Sequence, residues 1–506
     1  MKIIFVNPLD NTENPPSIMP SEILSMAALG EERGYTVCIL DANSLRQQLT
    51  YIEAFKKEIE DDDWKFVDLV FVNCNYGQYA NIKPMLQMLR KHKPEILIGL
   101  HGKVPAALGI KVFDYFKKLI DFAIIGEPEY TFLEVCERIN SQRFSEVDGL
   151  TFRGIDDKIH ITRPRPLITD LSKLPLPDYT IFEGETMRNY FAGSPLMLSV
   201  ATMGIQRRIS ISGERGSVKN DMFTGGYSRW DMVQTWGEEA VEKLNTENNS
   251  QPNFRFQTVD KFIEHIDFVR RRYAIDFVSI LDEDFMVFPE RVKEFCNKYM
   301  KADLHNYVPW GCFGDISNVE PLLLRKMKEA GCGYIAYKMR SDSQRMLTLS
   351  NTGATPEKNQ FAIESSLENN IVFAIMLDIG SDDEDIDDII KNIEFCNRFN
   401  FPYEPTIKNL QLGTQEFNEH IDCCLPKAYP SANSTEKQIE QYLMEYGKKP
   451  VSVVPNHEFT RVELLGIKEL TRNKDIEQIL VFAHETGREH SDEYIDKCPV
   501  CMDADE

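Results

Sequence analysis

Apolar runs and helix-period stretches alternate along the first third of the chain. Lys2 to Val6 is a continuous apolar run closed by Asn7-Pro8, and Tyr35 to Leu40, Val67 to Asn73, Ile96 to Gly99 and Phe122 to Ile125 repeat that texture. Between them, Ser21 to Gly34 carries Ile23, Leu24, Ala27 and Ala28 at helical spacing, with Ser21 as cap and Gly34 as stop, and Ile82 to Arg90 reads as a second helix. Strands apolar on both faces, alternating with amphipathic helices, predict a parallel sheet covered on both sides. The fold class is α/β, opening with a doubly wound Rossmann-like domain over residues 1–147. Ligands of such sheets meet the carboxyl ends of the strands. That rule singles out Asn7, Asn73, Tyr76, Gly77, Gly99, His101, Gly102, Glu127 and Glu129.

The texture changes at Asp148. Residues 148–192 read as a short hairpin followed by an extended tether bearing the prolines from Pro164 to Pro177, a domain boundary. Over residues 193–405, strand and helix alternate again. Strands are predicted at Leu196 to Ala201, Phe277 to Leu281, Tyr307 to Cys312, Tyr334 to Tyr337 and Ile371 to Leu377. Helices are predicted at Val259 to Tyr273, Pro289 to Met300, Pro321 to Ala330 and Thr355 to Asn369. This pattern suits a full or partial βα barrel with its chemistry at the carboxyl ends of the strands. Asp221 to Asn253 is a polar excursion, and residues 406–506 form a smaller mixed region with an acidic tail.

Composition narrows the function. A net charge of -23 opposes non-specific binding to nucleic acid or anionic membranes and points to a small-molecule substrate. No apolar run reaches a membrane span and no signal peptide opens the chain, so a cytoplasmic protein is expected. The 11 cysteines are odd in number and lie mostly in apolar segments, which suits reduced thiols. Cys498-x-x-Cys501 has half of a zinc site's spacing, with no second pair to complete it.

Several stretches, in order, resemble the cobalamin-binding radical S-adenosylmethionine (SAM) proteins, in which a B12-type Rossmann domain precedes a radical SAM barrel. They are MPSEILSMAALGEERGYTVCILDA, IIGEPEYTFLE, VDGLTFR and LPLPDY, then LDEDFMVFPERVKEFC, WGCFGDI and LLRKMKEAGCGYIAY with SDSQRMLTLSNTGATPEK following. The resemblance covers residues 1 to about 400 and implies cobalamin and SAM as cofactors. It also implies a cluster-binding loop C-x3-C-x2-C after the first barrel strand. With that strand at Leu196 to Ala201, the spacing falls on Ile205, Ile209 and Ser212, which cannot replace thiolates as iron ligands. An iron-sulfur cluster is therefore not expected. Where the family tends to carry a glycine pair, this chain has Gly99-Leu100, an isobutyl group at the expected corrin approach. Lys338-Met339-Arg340-Ser341 stands in place of G-x-E-S, and Asp378-Ile379-Gly380-Ser381-Asp382 in place of a later Gly- and Pro-bearing loop.

Arg207, Arg208 and Arg215 are candidates to hold an anionic substrate or cofactor. Asp282 and Asp284 follow a barrel strand and, with Tyr337, are candidates for the substrate or SAM pocket. His101 is placed to approach a cobalamin but lacks the D-x-H-x-x-G context of a cobalt-ligating histidine. Three readings stay open. One is a cobalamin protein acting on a small metabolite by non-radical chemistry such as methyl transfer. The second is a non-catalytic pseudoenzyme or partner subunit of an intact radical SAM protein, and the third is a metal enzyme using other ligands.

Overall fold

The computed structural model describes residues 1–10, 19–43, 51–141, 143–182, 207–216, 235–247, 255–350, 353–381, 383–401, 403–407, 461–491 and 497–500, together with 205, 440, 444, 459 and 494. Strands β1 (Lys2–Asn7), β2 (Thr36–Asp41), β3 (Leu69–Asn73), β4 (Leu97–His101) and β5 (Phe122–Ile124) are parallel neighbours in the order β2-β1-β3-β4-β5. The hairpin of β6 (Leu150–Arg153) and β7 (Ile159–Ile161) adds to β5 antiparallel, extending this sheet to seven strands. Helices Ser21–Glu32 and Pro128–Arg138 cover one face, where Ile23, Met26 and Phe132 pack with Phe5, Phe71 and Phe122. Phe55, Tyr79, Leu86 and Phe116 cover the other. The order reverses between β1 and β3, the position at which sheets of this kind place their ligands.

A second sheet is built from β8 (Arg208–Ile211), β11 (Phe277–Ile280), β12 (Trp310–Asp315), β13 (Cys332–Met339), β14 (Val372–Ile379) and β15 (Tyr403–Ile407). Its six strands run parallel in sequential order, the arrangement of a partial barrel. The short pair β9 (Glu214–Arg215) and β10 (Arg255–Phe256) lies beyond β8. Helices Pro289–Lys301, Pro321–Glu329 and Pro356–Glu368 each open on proline, whose missing N–H costs nothing in a first turn. Their apolar faces, with those of Val259–Tyr273 and Ile386–Phe399, form one core against the outer side of the sheet. At its centre Trp310 is fully buried among Phe285, Phe295 and Tyr299, and its indole N–H donates to the Ala330 carbonyl at 2.9 Å. Helices Arg461–Asn473 and Ile476–Glu485 belong to the same core through Leu464, Ile467, Ile479 and Leu480. Among the described residues, no helix is long and apolar enough to cross a membrane.

The strand expected at Leu196 to Ala201 lies outside the described residues, as do most of the excursion at 221–253 and the tail from Cys501 onward. The first barrel strand seen is β8. It pairs Arg208 with Phe277 and Ile211 with Ile280, in a stretch read from the sequence as a turn.

Candidate functional site at the facing strand ends

Register builds the first half of the site. Alternation along β1, β3 and β4 puts Asn7, Asn73 and His101 on the side of Phe5 and Phe71, while Val6, Val72 and Leu100 face the opposite core. Asp41 pairs with Asn7 across β2 and β1, Val6 with Val72, and Asn73 with His101, so Asp41, Asn7, Asn73 and His101 form one row along the carboxyl edge. The row is hydrogen-bonded: Asn7 Nδ2 donates to Asp41 Oδ1 at 2.7 Å and Asn73 Nδ2 to Asn7 Oδ1 at 3.2 Å. Gln78 Nε2 donates to the same Asn7 oxygen at 2.8 Å. Asn75 Nδ2 reaches Asn73 Oδ1 at 3.3 Å, and its own oxygen accepts from the Lys103 backbone at 3.0 Å. His101 ends the row. It is fully buried and stacked on Phe71 at 4.9 Å, and neither ring nitrogen has a hydrogen-bond partner among the described residues. Burial pushes its pKa down to about 3, so the ring is neutral at physiological pH.

Gly102 takes φ +112°, and a Cβ there would sit 2.8 Å from the Cys74 carbonyl oxygen, so the β3 and β4 loops meet only over a glycine. Tyr76 and Gly77 are buried beside this turn, Gly77 against Asp10. Gly99 does not offer an approach to a ligand. A Cβ there would lie 2.2 Å from the Phe122 ring and 2.7 Å from Phe71, so the residue is small for the sake of core packing. Leu100 points to the other face and is fully buried, so it does not stand beside the polar row either.

Glu127 and Glu129 are taken up by ion pairs. Arg215 Nη1 lies 3.2 Å from Glu127 and its guanidinium also pairs with Glu129, while Arg255 Nη1 reaches Glu127 at 2.9 Å and the Ile168 carbonyl at 2.7 Å. Burial opposes the Glu127 charge, yet Arg255 and Arg215 outweigh it and hold the carboxyl below its ordinary value. These four groups, all largely buried, tie the turn after β8 to the Rossmann domain. Arg215 thus serves a domain contact.

The second half lies at the carboxyl ends of the barrel strands. Asp282, fully buried, accepts from the Gly213 N–H at 2.7 Å and the Ser212 hydroxyl at 3.1 Å, with Arg291 at 3.6 Å. Asp282 therefore shapes the turn after β8. Glu214 in that turn accepts from the Glu283 backbone N–H, and its second oxygen has no hydrogen-bond partner among the described residues. Burial, and after it the neighbouring Asp282, push its pKa well up. Asp284 accepts from Asn318 at 2.6 Å and the Met286 N–H at 3.0 Å, and burial raises it to about 6. Lys338 lies 3.8 Å from Glu283 on the inner side, and Arg208, in register with the inner-facing Phe277, is buried on the same side.

Other candidates fall elsewhere. Arg207 is exposed before β8, at the amino end of the strand, where its N–H donates to Asp276. Tyr337 faces outward, its hydroxyl 2.8 Å from that of Ser366 on helix Pro356–Glu368. Ile205 packs on the inner cluster of Phe277 and Tyr334, Ile209 lies within β8 in the helix-covered core, and Ser212 begins the turn. These three positions do not share a loop, because Ile209 lies in a strand where the spacing expects a turn. The segment after β8 starts at Ser212, and no cysteine occurs between Cys136 and Cys296. Glu214, Arg255 and Arg291 are the residues that sequence reading missed. Glu214 meets the backbone of a residue 69 positions away, and Arg255 borders a segment read as a polar excursion.

No model of a known protein family matches the chain. It is 22% identical over 286 residues to an uncharacterized methyltransferase of Pyrococcus horikoshii, covering 56% of this chain and 54% of that protein. It is 21% identical over 421 residues to an anaerobic magnesium-protoporphyrin IX monomethyl ester cyclase of Rubrivivax gelatinosus, covering 79% and 66% respectively. The chain thus spans about half the length of the first relative and just under two thirds of the second. Among solved structures, it superposes on the radical SAM methyltransferase TsrM from Kitasatospora setae, with tryptophan substrate and a SAM analogue bound. That match has a TM-score of 0.64 and 12% identity, and it covers 86% of this chain and 79% of that one. It also superposes on the cobalamin-dependent SAM radical enzyme OxsB, with a TM-score of 0.59 and 14% identity over 80% of this chain and 53% of that one. This chain has the fold of the cobalamin-dependent radical SAM enzymes, a Rossmann-like sheet followed by a partial βα barrel.

Proposed function

We propose that this protein binds a cobalamin at the Rossmann sheet edge and acts on a small metabolite by non-radical chemistry, such as methyl transfer, without an iron-sulfur cluster. The observation that carries this reading is the buried polar row ending in His101, whose ring nitrogens have no partner among the described residues. A fully buried imidazole so left is costly unless a ligand engages it. The donor set therefore fits a large polar cofactor, with Asn73, His101 and the Gly102 turn holding it. When bound, the corrinoid supplies a cobalt centre able to carry a methyl group. The chain's own residues would do the rest. Arg208 and Lys338 set positive charge on the inner barrel face for an anionic substrate or SAM carboxylate, and Glu214, its pKa pushed well up by burial, stands at the mouth. The stretch from 137 to 295 offers no thiolate to a cluster after β8, whereas a [4Fe-4S] cluster is named for TsrM.

A second reading is a partner subunit of an intact radical SAM protein. In that reading the buried Arg215, Arg255, Glu127 and Glu129 group serves only to hold the turn after β8 on the first domain. Anaerobic incubation with iron, sulfide, hydroxocobalamin and SAM, then desalting, a visible spectrum and metal counts, separates the two. Equimolar cobalt without iron, reduced in His101→Leu, is expected. Iron with sulfide would overturn the cluster-free part, and neither metal would leave the partner reading.

A further inference from the structure

We propose that His484, His490 and Cys498 form a structural zinc site that fastens the C-terminal segment to the barrel. One ligand atom from each lies within 4.8 Å of the others. A tetrahedral zinc with bonds of about 2.0–2.3 Å sets its ligand atoms about 3.5 Å apart, so small rotations of these side chains close the site. The elements that bring them together are unrelated in sequence pattern. His484 ends helix Ile476–Glu485, and the chain then reverses through Gly487 at φ +70°. That turn carries His490 back, and the two imidazoles stand with centroids 5.5 Å apart and planes at 71°. Cys498 arrives from the following segment and is fully buried in the core shared with the barrel helices.

Two features suit metal binding over incidental proximity. His490 Nδ1 lies 3.1 Å from the Ser491 carbonyl oxygen, the hydrogen bond that orients a ligating imidazole and leaves Nε2 to the metal. Thiolate plus imidazole is also a borderline-soft donor set that selects zinc over magnesium or calcium. Cys501, outside the described residues, stands at the C-x-x-C interval from Cys498. The segment around the site is already docked on helix Ile386–Phe399. The Ser491 N–H donates to Asp387 at 3.1 Å, and Lys497 Nζ reaches Glu394 at 2.5 Å. Zinc would join these contacts to Ile476–Glu485, coupling binding to the fold of this region and releasing the Cys498 thiol proton as the metal enters.

The test uses untagged full-length protein, loaded with zinc, desalted and counted for zinc by mass spectrometry. His484→Ala, His490→Ala and Cys498→Ser are treated alike, with circular dichroism to verify folding. The two histidine variants are decisive because Cys498 is a core residue whose change alone can unfold the segment. Equimolar zinc in the wild type is expected, with affinity lowered at least about tenfold in each histidine variant. A chelator should lower the melting temperature of the wild type only. Zinc absent from the wild type, or undiminished in both folded histidine variants, would overturn the proposal.

Discussion

Replacing Glu384 by glutamine should remove a pH-dependent weakness at the barrel mouth. This side chain closes the loop after β14: one carboxyl oxygen accepts from the Gly380 N–H at 2.6 Å and the Ser381 N–H at 3.1 Å, while the residue is 1% exposed. Burial raises its pKa from 4.5 to about 8, because the two N–H donors do not compensate for lost hydration. Between these values the folded chain keeps a proton that the unfolded chain releases, so unfolding is favoured as pH rises. The stability is fully present below 4.5 and lost progressively up to about 8. At about 1.4 kcal/mol per pH unit, the loss reaches roughly 3 kcal/mol at pH 7 and no more than about 5 kcal/mol above pH 8. Glutamine keeps an acceptor for both N–H groups and cannot ionise. Urea unfolding of wild type and Glu384→Gln at pH 5 and pH 8, followed by fluorescence of the buried Trp310, measures the difference. The two proteins should be close at pH 5, with the variant more stable by several kcal/mol at pH 8. Parallel pH profiles would refute the claim that Glu384 is protonated in the folded protein.

Arg255→Met leaves Glu127 buried with Arg215 as its remaining ion-pair partner, and should cost about 3–5 kcal/mol in urea unfolding. The double variant with Glu127→Gln should recover part of that loss. Gly99→Ala should cost about 1–3 kcal/mol in cobalamin-free protein, since its Cβ would overlap the Phe122 ring; an unchanged melting temperature would return Gly99 to the list of ligand contacts. Tyr337→Phe removes the hydroxyl contact to Ser366 and should cost about 1 kcal/mol while leaving SAM titration unchanged in calorimetry. Asp282→Ala should lower the melting temperature by freeing the Ser212-Gly213 turn. Weaker SAM binding without any such loss would restore Asp282 as a direct ligand.

The alternation of apolar runs and amphipathic helices was enough to determine both sheets as parallel and helix-covered. β1 to β5 and the strands from β11 to β14 fall within a few residues of where the pattern puts them. Local chemistry also reached most helix starts, because proline and capping side chains act on their own first turn, although the first helix has Pro20 at its N-cap and not Ser21. Sequence also brought out Asn7, Asn73 and His101, since residues that end parallel strands share one edge whatever the packing above them. What a residue faces at that edge is another matter. A strand has two sides, and a shift of one residue exchanges them. That is why Tyr337 could be read as lining the pocket although it points outward, and why Ile209 was assigned to a loop although β8 holds it in the core. The pairing of Glu127 with Arg255, and the approach of His484 and His490 to Cys498, join segments whose spacing along the chain carries no periodic signature. Buried charges and metal ligands are satisfied by whichever partners the fold brings within a few ångströms, so only the tertiary structure decided them.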